Sequence, residues 1–173
     1  MKRLQRYNPN LSGTTLLELV VATTIMSLLM TSTVVSMRSA HATWQAHRDD
    51  TERAESAHAL LRHLVRHIRQ AVDISSMTGP ADNSGELSLV MPSGETLTYE
   101  TNGSDVLLHK TGNSDSSLLA DNLTGVTFVG YQADSTTPTT DLAQVQLVEC
   151  IVSYVTPLGT PRTLSIFAFK RSW

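Results

Sequence analysis

Few residues in this chain carry side chains whose type and spacing suggest chemistry. His63 and His67 stand four apart in a helical pattern, a separation that puts two imidazoles on one face and could hold a metal. No glutamate follows His63, so the metalloprotease pattern fails, and the arginines around the pair would repel a cation. A solvated helix face is the better expectation. Asp134 and Asp141 lie in a polar loop, but their spacing fits no calcium motif. Cys150 is the only cysteine, which excludes an internal disulfide; between Glu149 and Ile151 it reads as a small buried hydrophobe, not a reactive thiol. There is no glycine-rich phosphate loop, nucleophile elbow or paired-carboxylate motif. The expectation is a protein that is not an enzyme and needs no cofactor. One ionisable group stands out instead. Glu18 lies five positions after Gly13, at the head of nineteen uncharged residues, Leu19 to Met37. A carboxylate at membrane depth costs roughly 2.5–3.5 kcal/mol or more, so it calls for a partner.

The uncharged run would rise about 28 Å as a helix, close to the thickness of a bilayer's hydrocarbon core. Thr23, Thr24, Ser27, Thr31, Ser32, Thr33 and Ser36 interrupt its apolar residues. Hydroxyls can bond to carbonyls one turn back, and their density suggests a helix that also packs against other helices. Lys2, Arg3 and Arg6 precede the run, while Asp49, Asp50, Glu52 and Glu55 follow it. The positive-inside bias therefore places the N-terminus in the cytoplasm. A plain single-pass anchor leaves Glu18 unexplained. A secretory signal peptide cut after Ala40-His41-Ala42 has the wrong length and contains the acid.

Together, Gly13-Thr14-Thr15-Leu16-Leu17-Glu18 and Leu19-Val20-Val21-Ala22 resemble the class III prepilin signal shared by type IV pilins and type II secretion pseudopilins. That resemblance implies a leader at 1–13, cleavage by a prepilin peptidase between Gly13 and Thr14, and methylation of the new amino terminus. Thr15, Leu16 and Leu17 complete the motif. Position 14 is Thr where most major pilins carry Phe. Glu18 would then be an assembly residue, its carboxylate meeting the amino terminus of a neighbouring subunit. A buried acid paired with an amine costs far less than either charge alone.

These residues need elements to carry them. No Gly or Pro lies between Thr14 and Asp73, so one helix of about 60 residues is expected. Residues 14–37 would form its membrane and assembly part, and 38–74 an amphipathic continuation. Ala54, Ala57, Leu61, Leu64, Ile68 and Ala71 recur at 3 and 4 along that continuation, a stripe suited to covering a sheet rather than a coiled-coil seam. Asp73 ends the pattern, and Ser75-Ser76 with Gly79-Pro80 stop the helix. Residues 75–173 read as a β-rich domain. Leu87 to Met91, Thr96–Tyr99, Val106–Leu108, Leu118–Ala120 and Val126–Tyr131 are strand-like, with Asn102-Gly103 as a hairpin signal. A polar loop, Gln132–Leu142, leads to Val145–Val155, apolar on both faces and so expected under a helix. Leu164–Phe169 closes a final hairpin. The fold class is α+β, a long N-terminal helix packed on a C-terminal antiparallel sheet domain.

Within the pilin superfamily, two segments resemble the minor pseudopilin J class and the related minor pilin W and competence pilin F classes. Leu61-Arg62-His63-Leu64-Val65-Arg66-His67-Ile68-Arg69-Gln70-Ala71 is similar to the end of the J-type helix, with His67 where Asp is common. Leu119 to Phe128 is similar to the segment before a J-type strand. Glu18 argues against the K-type tip subunit, which lacks the acid. The resemblance implies a minor subunit that starts or caps a filament. Its implied partners are other pseudopilins or minor pilins, the prepilin peptidase and the inner-membrane assembly platform. The chain has 13 Lys+Arg against 16 Asp+Glu, and loss of Lys2, Arg3 and Arg6 leaves 10 against 16. That balance argues against a nucleic-acid partner. The alternative of a different class is an anchored or secreted extracytoplasmic binding domain that joins no filament.

Overall fold

A computed structural model describes residues 15–170 apart from positions 83 and 114. The chain is α+β, with one long apolar N-terminal helix followed by an antiparallel β domain. It divides after Trp44 into two compact units.

Helix α1 runs unbroken from Leu16 to Gln70, 55 residues. Its last part supplies the core of the second unit through Ala57, Leu60, Leu61, Leu64 and Ile68, all buried. The expected stripe is there, with Leu60 added and Ala54 only partly buried. Each fully buried Leu or Ile contributes about 1.5–3 kcal/mol by leaving water.

The helix ends sooner than Asp73, at Gln70. The Ala71 N–H still donates to the His67 carbonyl, but the Val72 N–H donates to the Val90 carbonyl, so the chain passes directly from helix into sheet. Strand β1, Asp73–Met77, follows. It lies where the sequence suggested only a helix stop, and it exists because pairing with β2 (Leu87–Val90) buries Ile74 opposite Leu89. Strands β3 (Thr96–Asn102), β4 (Asp105–Lys110) and β5 (Ser117–Ala120) complete a five-stranded antiparallel meander in the order β1-β2-β3-β4-β5. The β3–β4 turn sits one residue later than the Asn-Gly pair implied. Asn102 pairs with Asp105, leaving Gly103 and Ser104 as the loop. Gly103 takes φ 65°, the positive value that the first loop position of a type II′ turn requires.

The second sheet contains β6 (Gly125–Tyr131), the two-residue β7 (Pro138–Thr139), β8 (Leu147–Val155) and β9 (Pro161–Phe169), ordered β7-β6-β8-β9. β7 lies in what reads as a plain polar loop, Gln132–Leu142, and the 3₁₀ turn Leu142–Gln144 follows from its last residue. Strand β8 is not apolar on both faces in use. Val148, Cys150, Val152 and Tyr154 are buried, while Glu149, Ile151, Ser153 and Val155 are half-buried on the other face. The β8–β9 hairpin forms as expected, pairing Leu147 with Phe169 through Val155 with Pro161.

Both sheets and the helix share one apolar core. Tyr99 and Leu108 from the first sheet, Phe128, Cys150 and Val152 from the second, and Leu60, Leu64 and Ile68 from α1 belong to it. The sheets are joined where the Gly85 N–H donates to the Val126 carbonyl, 2.9 Å. Between β5 and β6, Asn122 adopts φ 58°, a left-handed conformation that Asn tolerates better than most residues.

Candidate functional site

Of the expected processing and assembly residues, Gly13 and Thr14 lie outside the described residues. Thr15, Leu16, Leu17 and Glu18 form the helix start. The Thr15 N–H donates to Glu18 Oε2 (3.0 Å), and the Glu18 N–H donates to Thr15 Oγ1 (3.3 Å). This reciprocal pair is a capping box: each side chain satisfies a backbone donor that the first helical turn leaves without an acceptor. The signal was available in the sequence as Thr, two residues, then Glu before an apolar run. Glu18 therefore has a local task at the helix start. Its Oε1 has no hydrogen-bond partner among the described residues, and negative charge at a helix N-terminus suits the helix dipole.

Beyond Glu18, the helix is long and apolar enough to cross a membrane, and that window buries nothing within the chain. Leu16, Leu28 and Leu29 are each more than half exposed. Four of the hydroxyls expected to bond backward, all of them threonines, do so. Thr23 donates to the Leu19 and Val20 carbonyls, Thr24 to Val21, Thr31 to Ser27 and Thr33 to Leu29, at 2.8–3.0 Å. With those O–H groups satisfied internally, the surface offered outward is mainly methyl and methylene.

The two histidines are placed differently from expectation. Instead of a solvated face, they sit half-buried against the first sheet, with ring centroids 4.3 Å apart. Tyr99, 1% exposed, brings its hydroxyl 3.2 Å from His63 Nδ1. Sequence spacing put the imidazoles on one face but could not show that β3 would present a tyrosine there. Burial lowers the His63 pKa, with His67, Arg66 and Lys110 adding positive charge nearby. Burial also raises that of the Tyr99 phenol. Since the folded protein holds His63 below its ordinary value of 6.5, the unfolded chain binds its proton more readily. Stability from this group is complete above that pH and falls as pH drops below it. Thermal unfolding should shift downward between about pH 7.5 and pH 5.5. His63→Phe keeps an aromatic ring beside Tyr99 and should flatten that dependence. An unchanged slope in the variant would assign the effect elsewhere.

Asp134 and Asp141 serve their own loop. Asp134 accepts from the Thr136 and Thr137 N–H groups and the Thr137 hydroxyl, which hold its carboxyl well below the usual range. Asp141 caps the 3₁₀ turn by accepting from the Ala143 N–H. Cys150 is fully buried, as expected, and burial pushes its thiol up to about 12. Among the described residues no three His, Cys, Asp or Glu side chains converge to hold a metal.

Sequence reasoning did not single out two surface depressions. One, about 250 Å³, is lined by Asp49, Glu52, Arg53, Asp121 and Asn122; Arg53 there donates to the Val155 carbonyl. The other, about 430 Å³, lies between α1 and β9 and is lined by Arg62, Val65, Arg66, Arg69, Gln70 and Ile166.

No protein-family model matches the chain, and no curated protein matches it either.

Proposed function

We propose that this chain is a minor pseudopilin or minor pilin, most similar to the J class, that starts or caps a filament of a type II secretion or related type IV pilus machine. What carries the reading is a single helix whose first turn holds Glu18 in a capping box, whose next turns are apolar and bare, and whose last turns are the core of a β domain. In lipid that apolar surface is at no disadvantage, and it becomes available for helix–helix packing when subunits assemble. The β domain would lie outside the cytoplasm, following the basic residues near the N-terminus. Action is by association: a prepilin peptidase frees the amine of Thr14, and Glu18 pairs with such an amine on a neighbouring subunit. Partner minor subunits and the inner-membrane platform supply the other surfaces.

Sequencing the mature N-terminus in the native host, with intact mass, tests this reading. The expected product begins at Thr14 and carries an added methyl group. A product beginning at Thr43 would replace the proposal with a cleaved signal peptide. Retention of Met1 would leave a single-pass anchor.

A further inference from the structure

Among the described residues, strand β9 is an edge of the second sheet and pairs only with β8. Its ladder phase is fixed at both ends. The Lys170 N–H donates to the Gln146 carbonyl, and the Thr156 N–H donates to the Thr160 carbonyl. Even-numbered residues of β9 therefore spend their backbone groups on β8. Thr163, Ser165, Phe167 and Phe169 turn theirs to the open edge, a row able to pair with another strand.

Beside that edge runs a line of positive charge. Arg53 bonds the Val155 carbonyl near the start of β9, and Asp73, just after α1, pairs with Lys170 at its end. The last turns of α1 thus follow β9 along its length. Arg62, Arg66 and Arg69, spaced four and three apart, line the 430 Å³ groove over Val65 and Ile166. None of the three is in an ion pair among the described residues; Arg62 makes only a 3.3 Å bond to the His58 carbonyl. The opposite face of the strand carries Thr163 and Ser165 and then turns apolar, with Phe167 and Phe169 about half exposed.

We propose that β9 accepts an extended segment of a partner protein as an added strand, and that this segment carries acidic side chains at alternate positions, facing Arg62, Arg66 and Arg69. Alternation follows from strand geometry: successive side chains of the added strand point to opposite faces. Those over the helix side meet guanidinium groups, which favour carboxylates bidentately. Those on the other side meet Phe167 and Phe169. A second copy of β9 is a poor occupant, since its helix-facing side chains are Arg162, Leu164, Ile166 and Ala168. The inference goes beyond the filament reading and does not rest on it.

The test uses the full chain in detergent micelles and a fluorescent, end-blocked octapeptide of alternating valine and glutamate, followed by anisotropy. Binding is expected, and the matching valine–lysine peptide should not bind. Reversing the charge with Arg66→Glu and Arg69→Glu should weaken binding by about tenfold or more. Ser165→Pro removes one outward N–H while sparing the β8 ladder, a replacement edge strands tolerate. It should weaken binding about tenfold with little change in unfolding temperature. No binding of the glutamate peptide, equal binding of the lysine peptide, or full binding by the Ser165→Pro protein would each overturn the proposal. The last result would show charge capture without strand addition.

Discussion

Truncating Phe128 to alanine should lower the unfolding free energy of the second unit by about 3–5 kcal/mol. The ring is 1% exposed, sits on β6 opposite Cys150 of β8, and belongs to the core shared with α1. Its neighbour Gly85 explains why the space would not refill. A Cβ at position 85 would fall 2.5 Å from the Val126 carbonyl oxygen and 3.0 Å from Phe128 Cδ2. Backbone, not a movable side chain, limits that position, and the Gly85–Val126 hydrogen bond fixes the distance. The cavity left by Phe128→Ala should therefore persist, which puts its cost at the upper end of large-to-small replacements. Urea unfolding of the full chain in detergent, followed by tryptophan-independent circular dichroism, measures the loss. Leu158→Ala, at a site 84% exposed, should stay within about 0.5 kcal/mol. A loss below about 1 kcal/mol for Phe128→Ala would mean the sheets do not close around that ring.

The second large effect belongs to Glu18. If the chain is the filament subunit proposed above, Glu18→Ala should leave the protein in the membrane but remove it from complexes with the proposed partner subunits. It also opens the capping box, at a cost of about 1 kcal/mol to the helix start. Glu18→Gln separates the two losses. Glutamine can still accept from the Thr15 N–H, so the box closes, but it brings no charge to an amine. If the assembly contact is ionic, the glutamine variant should fail nearly as completely as alanine. Co-isolation with partner minor subunits from native membranes, scored alongside N-terminal processing, reads this out. Full co-isolation of Glu18→Gln would reduce Glu18 to a helix cap and remove the ionic contact from the proposed mechanism.

Local signals were strong where the physics is local. Nineteen uncharged residues behind Glu18, and sixty without Gly or Pro, required a long helix with a membrane-like start. The 3-and-4 recurrence through Leu61, Leu64 and Ile68 marked the face that is buried, because helical periodicity alone sets which side chains share a side. Turn residues and period-two alternation placed most of the strands. The capping box is legible too, as Thr15, two residues and Glu18 ahead of an apolar run.

What only the tertiary structure decided depends on pairing between distant segments. Asp73–Met77 became a strand because β2 offers it an edge and a place for Ile74, which no window around residue 75 contains. His63 and His67 are half-buried because Tyr99, more than thirty positions on, arrives beneath them. Among the described residues, nine strands were split into sheets of five and four by which faces could share one core, and this made β9 an edge beside three arginines with no carboxylate partner there. The sequence by itself determined the long helix, its membrane-like half and the strand-forming stretches, since these follow from neighbours within a few residues. Sheet order, the histidine–tyrosine cluster and the open edge came from long-range burial, which chooses among pairings that local propensity leaves equally open.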